Sequence, residues 1–299
     1  MTTRSEAATL RVLTVNIWAR NGPYAVRQEL LRREIGALAP DLIALQEVDA
    51  GPDGSNQAAE LLAPLGYTVA YERREGENRA DPGIAVASRQ PILEQRLIEL
   101  PHGGAAVAAR IDAGGDRFWF CSAVPMPIWP HQEGGREDEA VALDAALTEL
   151  ADGDGLPPIL AGDFDATPES ASIRFLSGLQ SLQGRSTHWA DAFALAGNGT
   201  PGHTWTSKNP YAAPFAAAVF AQPVHGRRID YVFVGSPFRW RPRIVVRSCR
   251  IALTGTPDAA PSDHYGVLAE LEIDGVPIGG GRGLETWDET AAALWPPGS

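Results

Sequence analysis

The chain of 299 residues has a formal net charge of −12, with 44% hydrophobic and 21% charged residues. Such a length can bury a sizeable core, and the composition is that of a soluble globular protein. The acidic balance disfavours a broad grip on nucleic acid or anionic membrane, which usually needs a basic face.

The elements alternate along the chain. A strand over 10–17 leads to a helix over 25–39, where Val26, Leu30, Leu31, Ile35 and Leu38 fall at helical spacing and Pro40 stops the run. A buried strand at 41–48 and a helix near 56–64 follow. Strands are expected near 67–72, 83–88, 92–99, 105–111 and 117–123, then a helix over 135–151 and a strand over 157–162. Pro168 suits the first turn of the next helix. Residues 183–227 read as loop-rich, with His188 at a helix start, and strands near 230–234, 244–252 and 265–273 complete the core. Neither a repeat nor a linker divides the chain, so one domain is expected, with a core of 10–273 and a Gly/Pro-rich extension over 275–299. Cys121 and Cys249 lie in apolar strand-like segments and read as buried free thiols. No apolar run reaches the roughly 18 residues of a spanning helix, and a cytoplasmic monomer is the default expectation.

Polar residues gather at the ends of these strands. Asn16 follows Leu10–Val15, Glu47 ends the 41–48 run, and Asp163 and Asp165 follow Pro158–Gly162. Asp230 opens the run to Val234, and Asp263-His264 stands just before the last strand. In a mixed sheet, strands running up end on the edge where strands running down begin. Asn16, Glu47, Asp163, Asp230 and His264 can therefore converge on one rim. Mg²⁺ prefers oxygen ligands and uses one or two carboxylates together with substrate phosphate oxygens. Glu47 is the candidate principal ligand, with Asn16 beside it and Asp263 as a further acidic contact. Asp163 is the candidate base for an attacking water, and His264 is suited to phosphate binding or proton transfer with Asp230 orienting its ring. Each residue alone has a plainer role: a solvated turn for Glu47, an Asx turn for Asp163, an arginine pair for Asp230, a packed ring for His264. Five matches at strand ends favour a shared site.

Taken in order, Val15-Asn16-Ile17-Trp18, Leu45-Gln46-Glu47-Val48, Gly162-Asp163-Phe164-Asp165, Arg228-Ile229-Asp230-Tyr231 and Ser262-Asp263-His264-Tyr265 resemble the endonuclease/exonuclease/phosphatase superfamily, as does Gly83–Arg89, a strand ending in Ser-Arg. The resemblance runs from Leu10 to Ile273. It implies an α/β four-layer sandwich, two mixed β-sheets flanked by helices, and phosphoester hydrolysis dependent on Mg²⁺ or Mn²⁺. It further implies that Glu47 binds metal beside Asn16, with Asp263 in the outer metal environment, that Asp163 serves the water, and that Asp230 orients His264.

The chain departs from that pattern twice. Asp165 stands where members commonly carry an asparagine that donates to phosphate; an ionised carboxylate cannot donate there. Many members also carry a histidine near the position of Val124, and this chain has none there. His131 lies several residues on and reads as a loop residue. Asp165, Arg228 and His225 are the candidate substrate contacts, while His203 carries less weight. The expected activity is hydrolysis of a small-molecule or lipid-derived phosphoester. The alternatives are a Mg²⁺-dependent nuclease, which the acidic charge disfavours, and a catalytically weakened binding protein of the same fold.

Overall fold

The computed structural model describes residues 9–51, 55–73, 82–126, 129–151, 155–222, 224–236, 240, 243–256 and 258–274. The expected extension over 275–299 lies outside them. The elements run in the order β1 (Thr9–Asn16), α1 (Tyr24–Leu38), β2 (Leu42–Val48), α2 (Gln57–Leu62), β3 (Thr68–Glu72), β4 (Gly83–Ser88), β5 (Ile92–Glu99), β6 (Ala105–Ala113), β7 (Asp116–Val124), α3 (Glu133–Leu150) and β8 (Ile159–Asp163). The second part continues through α4 (Ala171–Leu176), β9 (Trp189–Asp191), α5 (Ala192–Ala196), β10 (Trp205–Thr206), α6 (Ala212–Phe220), β11 (Gly226–Arg227), β12 (Asp230–Gly235), β13 (Arg243–Ala252) and β14 (Gly266–Asp274).

Two six-stranded sheets form, with orders β13-β14-β1-β2-β4-β3 and β5-β6-β7-β8-β12-β9. Each is antiparallel apart from one parallel pair, β1 with β2 and β7 with β8. Alternation along the strands builds three apolar layers. Val12, Leu42, Val86, Val107, Phe120, Ile159 and Val232 face one another between the sheets. Leu13, Ile43 and Ala87 point outward under Leu31 and Ile35 of α1 and Leu61 of α2. Ala108, Cys121, Leu160 and Phe233 do the same on the other sheet, under Leu143 and Leu147 of α3. Helix, sheet, sheet, helix is the expected four-layer sandwich.

Local details follow the sequence closely. Helix α1 ends on Ala39 in the left-handed region (φ 45°), whose N–H donates to Ile35 O at 2.9 Å just before Pro40. Val26, placed by spacing on the helix's apolar side, instead faces solvent. Pro168 lies in the turn before α4 rather than in its first turn, and His188 precedes β9 rather than a helix. The 183–227 stretch is less irregular than its Gly and Pro content indicates, since it holds β9, α5, β10, α6 and β11. Cys121 and Cys249 are buried free thiols. No helix among the described residues is long and apolar enough to cross a membrane.

Candidate active site

Four strand ends and one turn meet on a single rim. Strand β8 pairs antiparallel with β12 so that Asp163 stands directly opposite Asp230. Close approach in the other direction requires Gly162, because a Cβ there would run into the Ala123 carbonyl oxygen of β7. Asn16 at the end of β1 then bridges the two sheets. Its Nδ2 donates to Glu47 Oε1 at 3.1 Å and to Asp163 Oδ2 at 3.0 Å. Its Oδ1 is turned away and accepts from the Trp18 N–H at 2.9 Å. In this arrangement Asn16 positions two carboxylates through its amide donors.

Glu47 reaches the rim through a distortion. The pairing of β2 with β4 shifts between Leu45 and Val48, and Glu47 itself adopts a left-handed backbone at φ 53°. A bulge of this kind re-aims one side chain, and a non-glycine residue at positive φ persists only where its surroundings enforce it. Gln46 takes the other direction, into the core. It donates to Thr14 Oγ1 at 3.2 Å and to Ser122 Oγ at 3.0 Å. Thus a buried polar bridge ties β1, β2 and β7 together beneath the site.

His264 is anchored from two sides. A carboxylate brings no proton, so Nδ1 carries the hydrogen in the 3.0 Å contact with Asp230 Oδ2. Nε2 then points toward Asp163 Oδ2 at 3.8 Å. Asp230 is itself held by Thr204, whose Oγ1 accepts from the backbone N–H of Ile229 (3.1 Å) and Asp230 (3.3 Å) and whose carbonyl accepts from Tyr265 N at 2.7 Å. The Ser262 hydroxyl donates to Asn16 O at 2.6 Å, which locks the turn carrying Asp263 and His264 onto the end of β1. Asp163 is set by both oxygens, since Oδ1 accepts from Asp165 N at 3.1 Å.

The electrostatics are those of too many acids in too little water. Burial pushes the Glu47 carboxyl up to about 7, and Asp263 adds repulsion that the Asn16 hydrogen bond only partly offsets. Burial likewise raises Asp263, and it raises Asp165 with the Asp163 charge adding to it. His264 responds in the opposite sense. Burial opposes its charge, but Asp230, Asp163 and Asp263 together outweigh that cost and hold the ring protonated well above its ordinary range. A buried, acid-rich oxygen set around one imidazole suits a hard cation. Glu47, Asp163, Asp263 and His264 line one pocket, and Asp163, Asp230 and His264 offer ligand atoms within 4.8 Å of one another.

The pocket these groups floor has a volume of about 270 Å³. Besides Glu47, Asp163, Asp165, Asp263 and His264, it is lined by Arg227 and by an apolar wall that includes Trp18, Trp129, Trp205, Tyr211 and Phe215. A second hollow meets it at Glu47, Asp163 and Asp165, and Val124 lies on its wall. So the position expected for a family histidine does border the site, and carries an isopropyl group. His131 and His203 are exposed.

Two expected substrate contacts are displaced. Arg228 lies out of the pocket, buried against Asp191 with Nη1 at 2.8 Å and 3.1 Å from its carboxylate oxygens. Its guanidinium also stacks over the Tyr231 ring at 4.6 Å. Arg227 is the arginine of the pocket, with Nη2 donating to Asp165 O at 2.6 Å and Nη1 at 3.7 Å from Asp165 Oδ1. That contact partly neutralises the carboxylate that replaces the family's asparagine. His225 stacks on Phe220 at 4.1 Å between ring centroids and supports the pocket wall from behind. Sequence reading also missed Arg27, which reaches from α1 to the carbonyls of Ile17 (2.9 Å), Ala19 (2.8 Å) and Pro261 (3.1 Å) and fixes the loop bearing Trp18. Replacing Arg228 by alanine leaves Asp191 buried without its cation and is expected to cost about 3–5 kcal/mol in urea unfolding. A loss below about 1 kcal/mol would show that the pair is not structural.

Comparison with known proteins agrees with this arrangement. Residues 13–264 match the model of the endonuclease/exonuclease/phosphatase family. Carbon catabolite repressor protein 4 homolog 3 of Arabidopsis thaliana is 29% identical over 166 residues, 52% of this chain and 36% of that protein, so the match spans about a third of the relative's length. The human Nocturnin catalytic domain with bound sulfate superposes with a TM-score of 0.67 at 21% identity, covering 91% of this chain and 100% of that one. ANGEL2, a 2′,3′-cyclic phosphatase in complex with adenosine-2′,3′-vanadate, gives 0.68 at 15% identity over 89% and 96% of the two chains. The two sheets, the order of the strand-end motifs and the matched model agree, and the chain belongs to the endonuclease/exonuclease/phosphatase family.

Proposed function

We propose that the protein is a metal-dependent phosphoester hydrolase acting on a small-molecule or lipid-derived substrate. The observation that carries this reading is the convergence of Glu47, Asp163, Asp263 and the Asp230–His264 pair on one pocket floor. ANGEL2, described as a cyclic phosphatase, lends support at the level of reaction class. Glu47 and Asp263 would hold Mg²⁺ or Mn²⁺, which when bound polarises the phosphoryl group and offsets charge on the leaving oxygen.

The remaining roles fall to the chain's own groups. Asp163, oriented through both of its oxygens, accepts the proton of a water whose oxygen attacks phosphorus as the bond to the leaving oxygen breaks. The protonated His264 ring donates to a phosphoryl oxygen through Nε2 while Asp230 fixes its orientation. Arg227 supplies a further cation for the phosphoryl group, and holds Asp165 back from repelling it.

A panel of phosphomonoesters and phosphodiesters, assayed with Mg²⁺, with Mn²⁺ and with chelator, tests the reading. Turnover of at least one class, abolished by chelator, is expected. Absence of turnover on every member would favour the catalytically weakened fold, for which Val124 and Asp165 are the motive. Turnover confined to polynucleotides, with an affinity that falls steeply with salt, would favour a nuclease.

A further inference from the structure

The apolar wall of the pocket belongs to no step of the chemistry above, and it is unusually well built. Trp18 stacks on Tyr211 at 5.4 Å between centroids, Trp129 on Phe215 at 6.2 Å, and Trp205 meets Phe215 edge-on at 5.9 Å. Helix α6 supplies Phe215, Val219 and Phe220 from one side, and the loops after β1 and β7 supply Trp18 and Trp129 from the other. Phe215 and Trp129 remain 50% and 39% exposed, so this wall is apolar surface left open beside the catalytic floor rather than core. Apolar area left in water beside a reactive site gains free energy when a ligand covers it.

What the wall lacks is equally informative. No asparagine, glutamine, serine or threonine side chain lines this pocket, and among the described residues its neutral hydrogen-bonding groups are the Tyr211 hydroxyl and the indole N–H groups of Trp18, Trp129 and Trp205. A nucleobase could stack on such rings but would find few acceptors for its edge, whereas a hydrocarbon or unsubstituted aryl group needs none. The charged groups of the lining are Arg227, His264 and the carboxylates of Glu47, Asp163, Asp165 and Asp263, the set to which the hydrolase reading gives the metal and the phosphoryl group.

Building on the hydrolase reading, we propose that this wall is the specificity site for one apolar substituent of the phosphoester, alkyl or aryl, seated against Phe215 and Trp129 while the phosphoryl group rests on the floor. A cavity of about 270 Å³ limits that substituent to a modest size, or to the proximal segment of a longer chain. Phe215 and Trp129 are then the residues that set substrate preference.

Two measurements test the proposal separately from the hydrolase reading. Turnover is compared across methyl, hexyl, phenyl and adenosyl phosphates and their methyl phosphodiesters. Binding of methyl-, hexyl- and phenylphosphonate is followed by tryptophan fluorescence, which requires no catalysis. Hexyl or phenyl members are expected to exceed the methyl member by about ten- to a hundred-fold in kcat/KM, and the phosphonates in affinity. The two arms tell alkyl from aryl preference. Phe215→Ala should erase that advantage, and Phe215→Leu should restore most of it. Equal binding of the three phosphonates, or a preference for the adenosyl ester that survives Phe215→Ala, overturns the proposal. Phosphonate selectivity without hydrolysis of any ester would instead uphold the apolar site and sink the hydrolase reading.

Discussion

Glu47→Gln should abolish the thermal stabilisation that Mg²⁺ or Mn²⁺ gives the wild-type protein, and with it nearly all turnover. A cation at a hundred times its dissociation constant adds about 2.7 kcal/mol to the stability of a state that alone binds it, worth several degrees in Tm for a chain of this size. The substitution keeps the side chain's volume and its contact with Asn16 Nδ2, but removes the anion. Without metal, the variant should be at least as stable as the wild type. The reason lies in the pocket itself: burial and the nearby Asp263 push the Glu47 carboxyl up to about 7, so its charge is a burden there until a cation arrives. Loss of partners one shell removed from a metal costs roughly 10- to 100-fold in affinity or activity, so loss of a direct ligand should exceed about 100-fold. Differential scanning fluorimetry across a metal titration, beside kcat/KM for the same samples, reads both effects. A Glu47→Gln protein that kept the full metal-induced shift would remove Glu47 from the metal site.

Why this residue could be picked out from sequence, and others could not, follows from what a strand pattern encodes. A run of apolar residues ending in a polar side chain marks the rim of a sheet, and Asn16, Glu47 and Asp163 were visible for that reason. The sandwich itself was legible only through the family resemblance of the motifs; strands such as β1 and β8 do alternate between the inter-sheet layer and the helix-covered layer, as it requires. The strand pattern does not encode orientation at irregular positions. Arg227 and Arg228 are neighbours that project to opposite sides, one to the pocket and one to Asp191, and nothing in the dipeptide says which is which. The bulge that turns Glu47 outward sends Gln46 inward to Ser122, a partner 76 residues away. Asn16 lies at the expected place, and the direction of its amide is set by the Trp18 N–H, which only the turn provides. Helix α6 was hidden by its composition, since Ala212–Phe220 is apolar on nearly every side and contains Pro214. Its exposed face makes sense as a pocket wall and would make little sense elsewhere.

His264→Ala should reduce kcat by about 10²–10⁴-fold, the range over which a positioned acid or base contributes, with substrate affinity much less affected. Among the described residues, His264 is the only imidazole that lines the pocket. His131 and His203 are exposed, and His225 is committed to its stack on Phe220. Asp230→Asn should also be costly, by a different route. The carboxylate fixes the ring so that Nε2 faces the pocket, and it favours the protonated form; an amide can do the first poorly and the second not at all. Because both effects pass through one ring, the double variant should be little worse than His264→Ala alone, a coupling that additive roles would not produce. Exogenous imidazole entering the space left in His264→Ala should restore part of the activity when Asp230 is intact and much less in the double variant. Equal rescue in both backgrounds would detach Asp230 from the ring's orientation. Additive losses with no rescue in either would leave His264 as a packed histidine and move the proton chemistry elsewhere on the rim.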